Sequence, residues 1–202
     1  YDQVDKVYVS NFLGECFVKQ GHLGSLAVAA EPRLDGKPIA RLEAACASGA
    51  ASVAACVDAL QAGCDVTLAL GVEIESNVRG SEGVEYMAYA AHYAKQRGLD
   101  TFLFPYLFAR RAQKYKEAYG ATSDDLARVA AKAHGNARLN PLARNRSSSI
   151  DFQVAAKVSE ENHLFLEDPE LHEHIRISDC TQFTDGASAV ILATDEGLSR
   201  LG

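Results

Sequence analysis

An α/β fold with a mostly helical insertion is predicted by three observations. Short β-rich runs alternate with helical runs over the first seventy residues, which indicates parallel strands. A helical, aromatic-rich and histidine-rich stretch follows. Strand character then returns near the end of the 202 residues.

The elements follow in order. Lys6 to Val9 is a β-rich run between polar residues, and Leu23 to Glu31 is an Ala-rich helix stopped by Pro32. Asp35-Gly36 marks a turn. Ile39 to Glu43 reads as a strand, and a helical pattern runs from Ala47 to Gln61 before the strand Val66 to Leu70. In that helix Gly49, Val53, Cys56, Val57 and Leu60 form one apolar stripe. The opposite side is nearly all alanine, so the helix is expected to be buried all round. Helices are expected over Val84 to Gln96, Phe102 to Tyr119 and Asp124 to Arg138, the last capped by Thr122 or Ser123. Arg138 to Ser149 is a polar loop, and strands return at Ile175 to Ser178 and Ala187 to Ala193. This order divides the chain into α/β core (1–72), helical insertion (73–174) and a return to the core (175–202). There is no internal repeat and no low-complexity linker.

Composition narrows the function classes. Hydrophobic residues make up 48% and charged residues 23%, as in ordinary globular chains with a sizeable core. A formal charge of −7 argues against a nucleic-acid-binding face and against a polybasic membrane module. No apolar run approaches the roughly 20 residues of a membrane helix. Five cysteines without C-x-x-C spacing suit free thiols in a reducing compartment, so a cytoplasmic location is expected. No charged-then-apolar run of the signal-peptide kind is visible in the first residues.

The candidate chemistry centres on Cys46, at a strand-to-helix junction within Leu42-Glu43-Ala44-Ala45-Cys46-Ala47-Ser48-Gly49. Helical N–H groups and the helix dipole favour a thiolate there, and tiny neighbours leave room for an acyl group. The alternative is a small buried cysteine with a packing role. Cys56 lies ten residues on, roughly 15 Å along a helix, so the two cannot be bonded. His172-Glu173-His174 is thin evidence for a metal, and no metal site is expected. Arg138, Arg144 and Arg146 beside Ser147 to Ser149 read as a solvated loop that could also contact a phosphate. Neither G-x-G-x-x-G nor G-x-x-x-x-G-K-[ST] occurs.

Together the motifs resemble the thiolases. The run Glu43 to Gly49 resembles the family's C-A-S-G helix entry, and Asp65, Val66, Ala69, Gly71 and Glu73 fit its D-V-x-x-A-x-G-x-E strand. Thr184 to Val190 looks like the D-G-A-A-A strand entry. Tyr115 to Thr122 and Asn136 to Pro141 are similar to the loop domain. The spelling resembles the sterol-carrier-protein-type and archaeal or bacterial thiolases, of acetyl-CoA acetyltransferase type, more than the commonest degradative ones.

The resemblance implies the N-terminal half of a duplicated five-layer α/β architecture. It implies an acyltransferase of lipid metabolism using coenzyme A thioesters as substrates, with no covalently bound cofactor. Cys46 would be acylated, its own backbone N–H would help hold the oxyanion, and Tyr119 and Gly120 would approach the substrate. Tyr119 is not the family's usual residue there. A homodimer or homotetramer is implied. The G-H-P-type histidine motif, the C-x-G motif and the family's opening strand and helix are not in the chain, so it reads as a fragment or nicked product completed by a missing C-terminal half or a partner chain. The alternatives are a non-catalytic thiolase-like partner subunit and a ketoacyl-synthase-type condensing enzyme.

Overall fold

A computed structural model describes residues 1–202. The chain divides into two units, Tyr1–Tyr86 with Phe183–Gly202, and Met87–Gln182.

The first unit is built on a four-stranded sheet of β1 (Lys6–Ser10), β2 (Ile39–Leu42), β3 (Val66–Glu73) and β4 (Gly186–Ala193), in the order β2-β1-β3-β4. The first three are parallel and β4 runs antiparallel to β3. Burial alternates along β1, with Val7 and Val9 inside, the two-residue period of a strand. Val66 to Ala69 are buried without alternation because both faces of β3 are covered.

The short α1 (Gly14–Phe17) follows β1, and α2 (Leu23–Ala30) crosses from β1 to β2. Next, α3 (Ser48–Gln61) crosses from β2 back past β1 to β3. Two crossovers of the same hand running in opposite directions must lie on opposite faces of a sheet. Leu23 and Ala27 of α2 accordingly join Val7, Val9 and Leu68 in one cluster. On the other face Ser52 Oγ donates to Ser10 Oγ at 3.3 Å.

The buried stripe of α3 is Ser48, Ser52, Cys56 and Ala59, whereas Val57 is 40% exposed. This differs from the stripe expected from apolar periodicity. Small side chains let the helix backbone sit close over β1 and β3, and the serine hydroxyls find partners in the helix backbone and on the facing strand. Gly71 belongs to the same close approach, since a Cβ there would stand 3.3 Å from Ser10 Oγ.

The helix α4 (Gly80–Met87) precedes a 3-10 turn, Ala88–Ala90, and the one-turn α5 (Tyr93–Gln96). The single helix expected over Val84 to Gln96 is therefore broken, because Ala91 is extended and His92 N–H donates to Gln96 Oε1. In the second unit α6 (Leu103–Tyr119) packs Tyr106 and Ala109 against Leu166, Leu171 and Ile175. The next helix, α7 (Ser123–Leu139), opens with a capping box between Thr122 and Asp125 and packs Ala127 and Ala130 on Ala155 of α8 (Phe152–Ala155).

The strand expected at Ile175 to Ser178 is instead a 3-10 turn at Ile177–Asp179. Its backbone is satisfied by a side chain, since Ser178 N–H donates to Asn162 Oδ1 at 3.0 Å. Fully buried Asn162 also donates to the carbonyls of Val154, Ala155 and Lys157, holding an irregular segment together without a sheet.

The last helix, α9 (Asp195–Leu201), returns to the first unit, where Arg200 pairs with Asp5 and Asp65. No helix is long and apolar enough to cross a membrane.

Candidate active site

Strand β2 ends at Leu42, and the chain reaches α3 through a tight turn whose 3-10 segment is Ala45–Ala47. Cys46 sits in the middle of that segment and is exposed. Ala45 takes a left-handed φ of 49°. For a residue with a Cβ this costs about 1–2 kcal/mol, so neighbouring interactions must hold it.

Those interactions are close by. Ala47 N–H donates to Ala44 carbonyl at 2.9 Å, closing the turn. Ser48 Oγ accepts from Ala44 N–H at 2.9 Å and donates to Ala45 carbonyl at 2.6 Å. The Glu43 carboxylate accepts Ala45 N–H. Ala47, the residue before α3, supplies no side-chain cap. The first-turn N–H groups of a helix have no intrahelical acceptor, and together with the dipole they favour negative charge beside them.

The other thiols differ. Cys56 is buried against the sheet, and burial pushes its thiol up, partly offset by a hydrogen bond with Thr67. Cys180 is pushed up to about 11 by burial and by neighbouring Asp179. Cys16 and Cys64 are partly buried, which leaves Cys46 as the exposed thiol of the five.

The carboxyl ends of β1, β2 and β3 share the edge of the sheet from which the Cys46 turn departs, and a polar network ties that edge. The Glu73 carboxylate accepts from Phe12 N–H at 2.6 Å and from Asn11 Nδ2 at 2.9 Å. Asn11 Nδ2 also donates to Val72 carbonyl, while Asn11 Oδ1 accepts from Gly14 N–H and from Arg41 Nη2. Arg41, on β2, pairs with Glu15. The Glu15 carboxyl is held below its ordinary range by that guanidinium. Nearby, Glu75 accepts from Thr184 N–H, and burial, reinforced by Glu73 and Asp185, raises its carboxyl. Of these residues Glu73, Thr184 and Asp185 fall within motifs of the sequence. Asn11 and Arg41 carry no local pattern, because their partners are distant in sequence.

Tyr119 and Gly120 lie in the second unit. Tyr119 ends α6 and is 75% exposed, its ring 4.8 Å from that of Tyr115. Gly120 terminates the helix with a left-handed φ of 67°, a conformation suited to glycine. His172 and His174 fall on a 3-10 turn, and nowhere do three or more His, Cys, Asp or Glu side chains gather as a metal cage. Arg144 donates to Gln182 Oε1.

Comparison with known proteins matches residues 1–196 to the family described as "Thiolase, N-terminal domain". The acetyl-CoA acetyltransferase of Methanothermobacter thermautotrophicus is 34% identical over 94% of this chain and 46% of its own length. That of Methanocaldococcus jannaschii is 31% identical over 96% and 46%. Human sterol carrier protein 2 is 24% identical over 100% and 35%. The chain thus spans about half the length, or less, of these relatives. Among solved structures, a chain of the Ltp2-ChsH2(DUF35) aldolase superposes with a TM-score of 0.64 at 21% identity, covering 98% of this chain and 47% of that one, a likeness of fold.

Proposed function

The chain belongs to the thiolase family, and from that premise we propose that it carries the acyl-accepting cysteine of a thiolase-type acyltransferase, with Cys46 as nucleophile. The observation that carries this reading is the exposed Cys46 thiol on a tight strand-to-helix turn, at an uncapped helix start. Relatives named acetyl-CoA acetyltransferase support an acyl-CoA thioester as substrate.

In the proposed reaction the Cys46 thiolate attacks the thioester carbonyl. A C–S bond forms to Cys46 and electron density moves to the carbonyl oxygen, where the Cys46 backbone N–H is proposed as one hydrogen-bond donor. Collapse breaks the bond to coenzyme A, which leaves as a thiolate and takes up a proton. The acyl-enzyme then passes its acyl group to a carbon nucleophile, giving a 3-ketoacyl thioester, or to coenzyme A in thiolysis. The base that withdraws protons in both half-reactions is proposed to come from the other half of the polypeptide or a partner chain. Tyr119 and Gly120 are proposed to approach the substrate.

A second reading is that of a thiolase-like subunit supporting a larger assembly, favoured by its likeness in fold to a chain of an aldolase complex. Coenzyme-A-dependent thiolysis of acetoacetyl-CoA by the full-length polypeptide separates the two. Turnover that disappears in Cys46→Ser supports the acyltransferase, and no turnover with intact folding favours the assembly subunit.

A further inference from the structure

We infer that Ser48 and Glu43 are positioning residues that hold Ala45 in its left-handed conformation and thereby set where Cys46 stands. Three non-glycine residues have a left-handed φ, and of these Ala45 is the one bonded directly to Cys46. Its methyl side chain has no polar atom with which to stabilise that conformation itself. Nor is it a glycine, which would adopt the conformation freely. The restraint must come from outside, and two hydrogen bonds fall on Ala45 itself and a third on Ala44 beside it.

Ser48 Oγ receives Ala44 N–H and gives its own proton to Ala45 carbonyl, so one hydroxyl ties the peptide unit before Ala44 to the one after Ala45, while Glu43 holds the unit between them. The Glu43 carboxylate takes Ala45 N–H from the front. Ser48 is 6% exposed, so water does not readily replace the hydroxyl. Without the clamp, Ala45 relaxes toward the right-handed region. That rotation turns the peptide joining Ala45 to Cys46, and the Cys46 amide and Sγ swing away from the start of α3. Glycine at position 45 has no such drive, so its effect depends on whether the clamp is present.

This inference deepens the acyl-acceptor reading of Cys46, and its test uses a thiol probe that reports presentation whether or not acyl groups are transferred. Iodoacetamide alkylation of native protein is followed by peptide mapping, with burial of Cys56 as an internal check of folding. Ser48→Ala is expected to slow alkylation of Cys46 about threefold or more. Ser48→Thr, which keeps the hydroxyl, and Ser48→Ala combined with Ala45→Gly are expected within about twofold of the parent protein. If Ser48→Ala also exposes Cys56, Glu43→Ala carries the test, since it removes only the acceptor of one exposed-side bond. The same slowing and the same recovery by Ala45→Gly are then expected. An unchanged Cys46 rate with Cys56 protected, or slowing that Ala45→Gly does not relieve, overturns the clamp. Failure of acyl transfer with the clamp behaviour intact speaks instead against the acyltransferase reading.

Discussion

Glu73, the last residue of β3, holds Asn11 just beyond the end of β1, accepting from its Nδ2 at 2.9 Å while its other oxygen takes Phe12 N–H at 2.6 Å. Asn11 in turn reaches Arg41 on β2. One carboxylate and one amide thus join the ends of three parallel strands at the edge from which the Cys46 turn leaves.

Glu73→Ala should therefore destabilise the first unit. It removes the acceptor of one N–H of the buried Asn11 amide, whose other contacts remain, and of Phe12 N–H, each lost partner costing about 1–3 kcal/mol. Urea unfolding followed by circular dichroism checks this. A midpoint equal to that of the parent would show that the network is dispensable.

Thiol selectivity gives a second expectation. Exposed Cys46 should be alkylated first near neutral pH, and Cys56, whose thiol is both enclosed and pushed up by burial, only on unfolding. Brief iodoacetamide treatment and peptide mapping decide it, and labelling of Cys56 or Cys64 ahead of Cys46 contradicts the assignment.

The pairing of α9 with the sheet makes stability depend on acid. The Arg200 guanidinium, with the N–H groups of Val66 and Asp65, holds the Asp5 carboxyl at about 2, below its ordinary 3.8. A carboxyl depressed by folding stabilises fully above its unfolded pKa, and the contribution fades as pH falls toward the folded value. Between pH 5 and pH 2 the fold should lose about 1–2 kcal/mol from this pair, after allowing for solvent screening. Arg200→Gln should flatten the acid limb of the stability curve. An unaltered limb would remove Asp5 from the acid response.

Gly197 is a fourth test. A Cβ there would stand 2.1 Å from Asp65 carbonyl oxygen, so Gly197→Ala must push α9 off the sheet. The expected cost is about 1–3 kcal/mol, read as a lower thermal midpoint. A neutral or stabilising alanine would mean that α9 sits further from Asp65.

Much of this was legible from local pattern. The strands around Val7, Ile39, Val66 and Val190, the helix ended by Gly120 and the Thr122 cap all follow from periodicity and capping chemistry confined to a few neighbouring residues. The Cys46 turn was legible because its small neighbours and the switch from strand to helix are local too. The buried face of α3 was not. Its partners are Ser10 and Thr67, and hydroxyls meeting across layers reverse the rule that apolar residues face inward. Likewise Asn11, Asn162 and Asp5 read as ordinary surface polars until the fold brings Glu73, Ser178 and Arg200 to them. The left-handed Ala45 was equally hidden, since alanine gives no signal for that conformation.

The most direct measurement of the central claim is intact-protein and peptide mass spectrometry after incubation with acetyl-CoA, comparing the parent protein with Cys46→Ser. Serine is nearly isosteric but a far poorer nucleophile without activation, so the fold should persist while the chemistry is lost. The account predicts one acetyl group on the Cys46 peptide of the parent and none on the variant. Acetylation that persists in Cys46→Ser, or maps to another thiol, would contradict it.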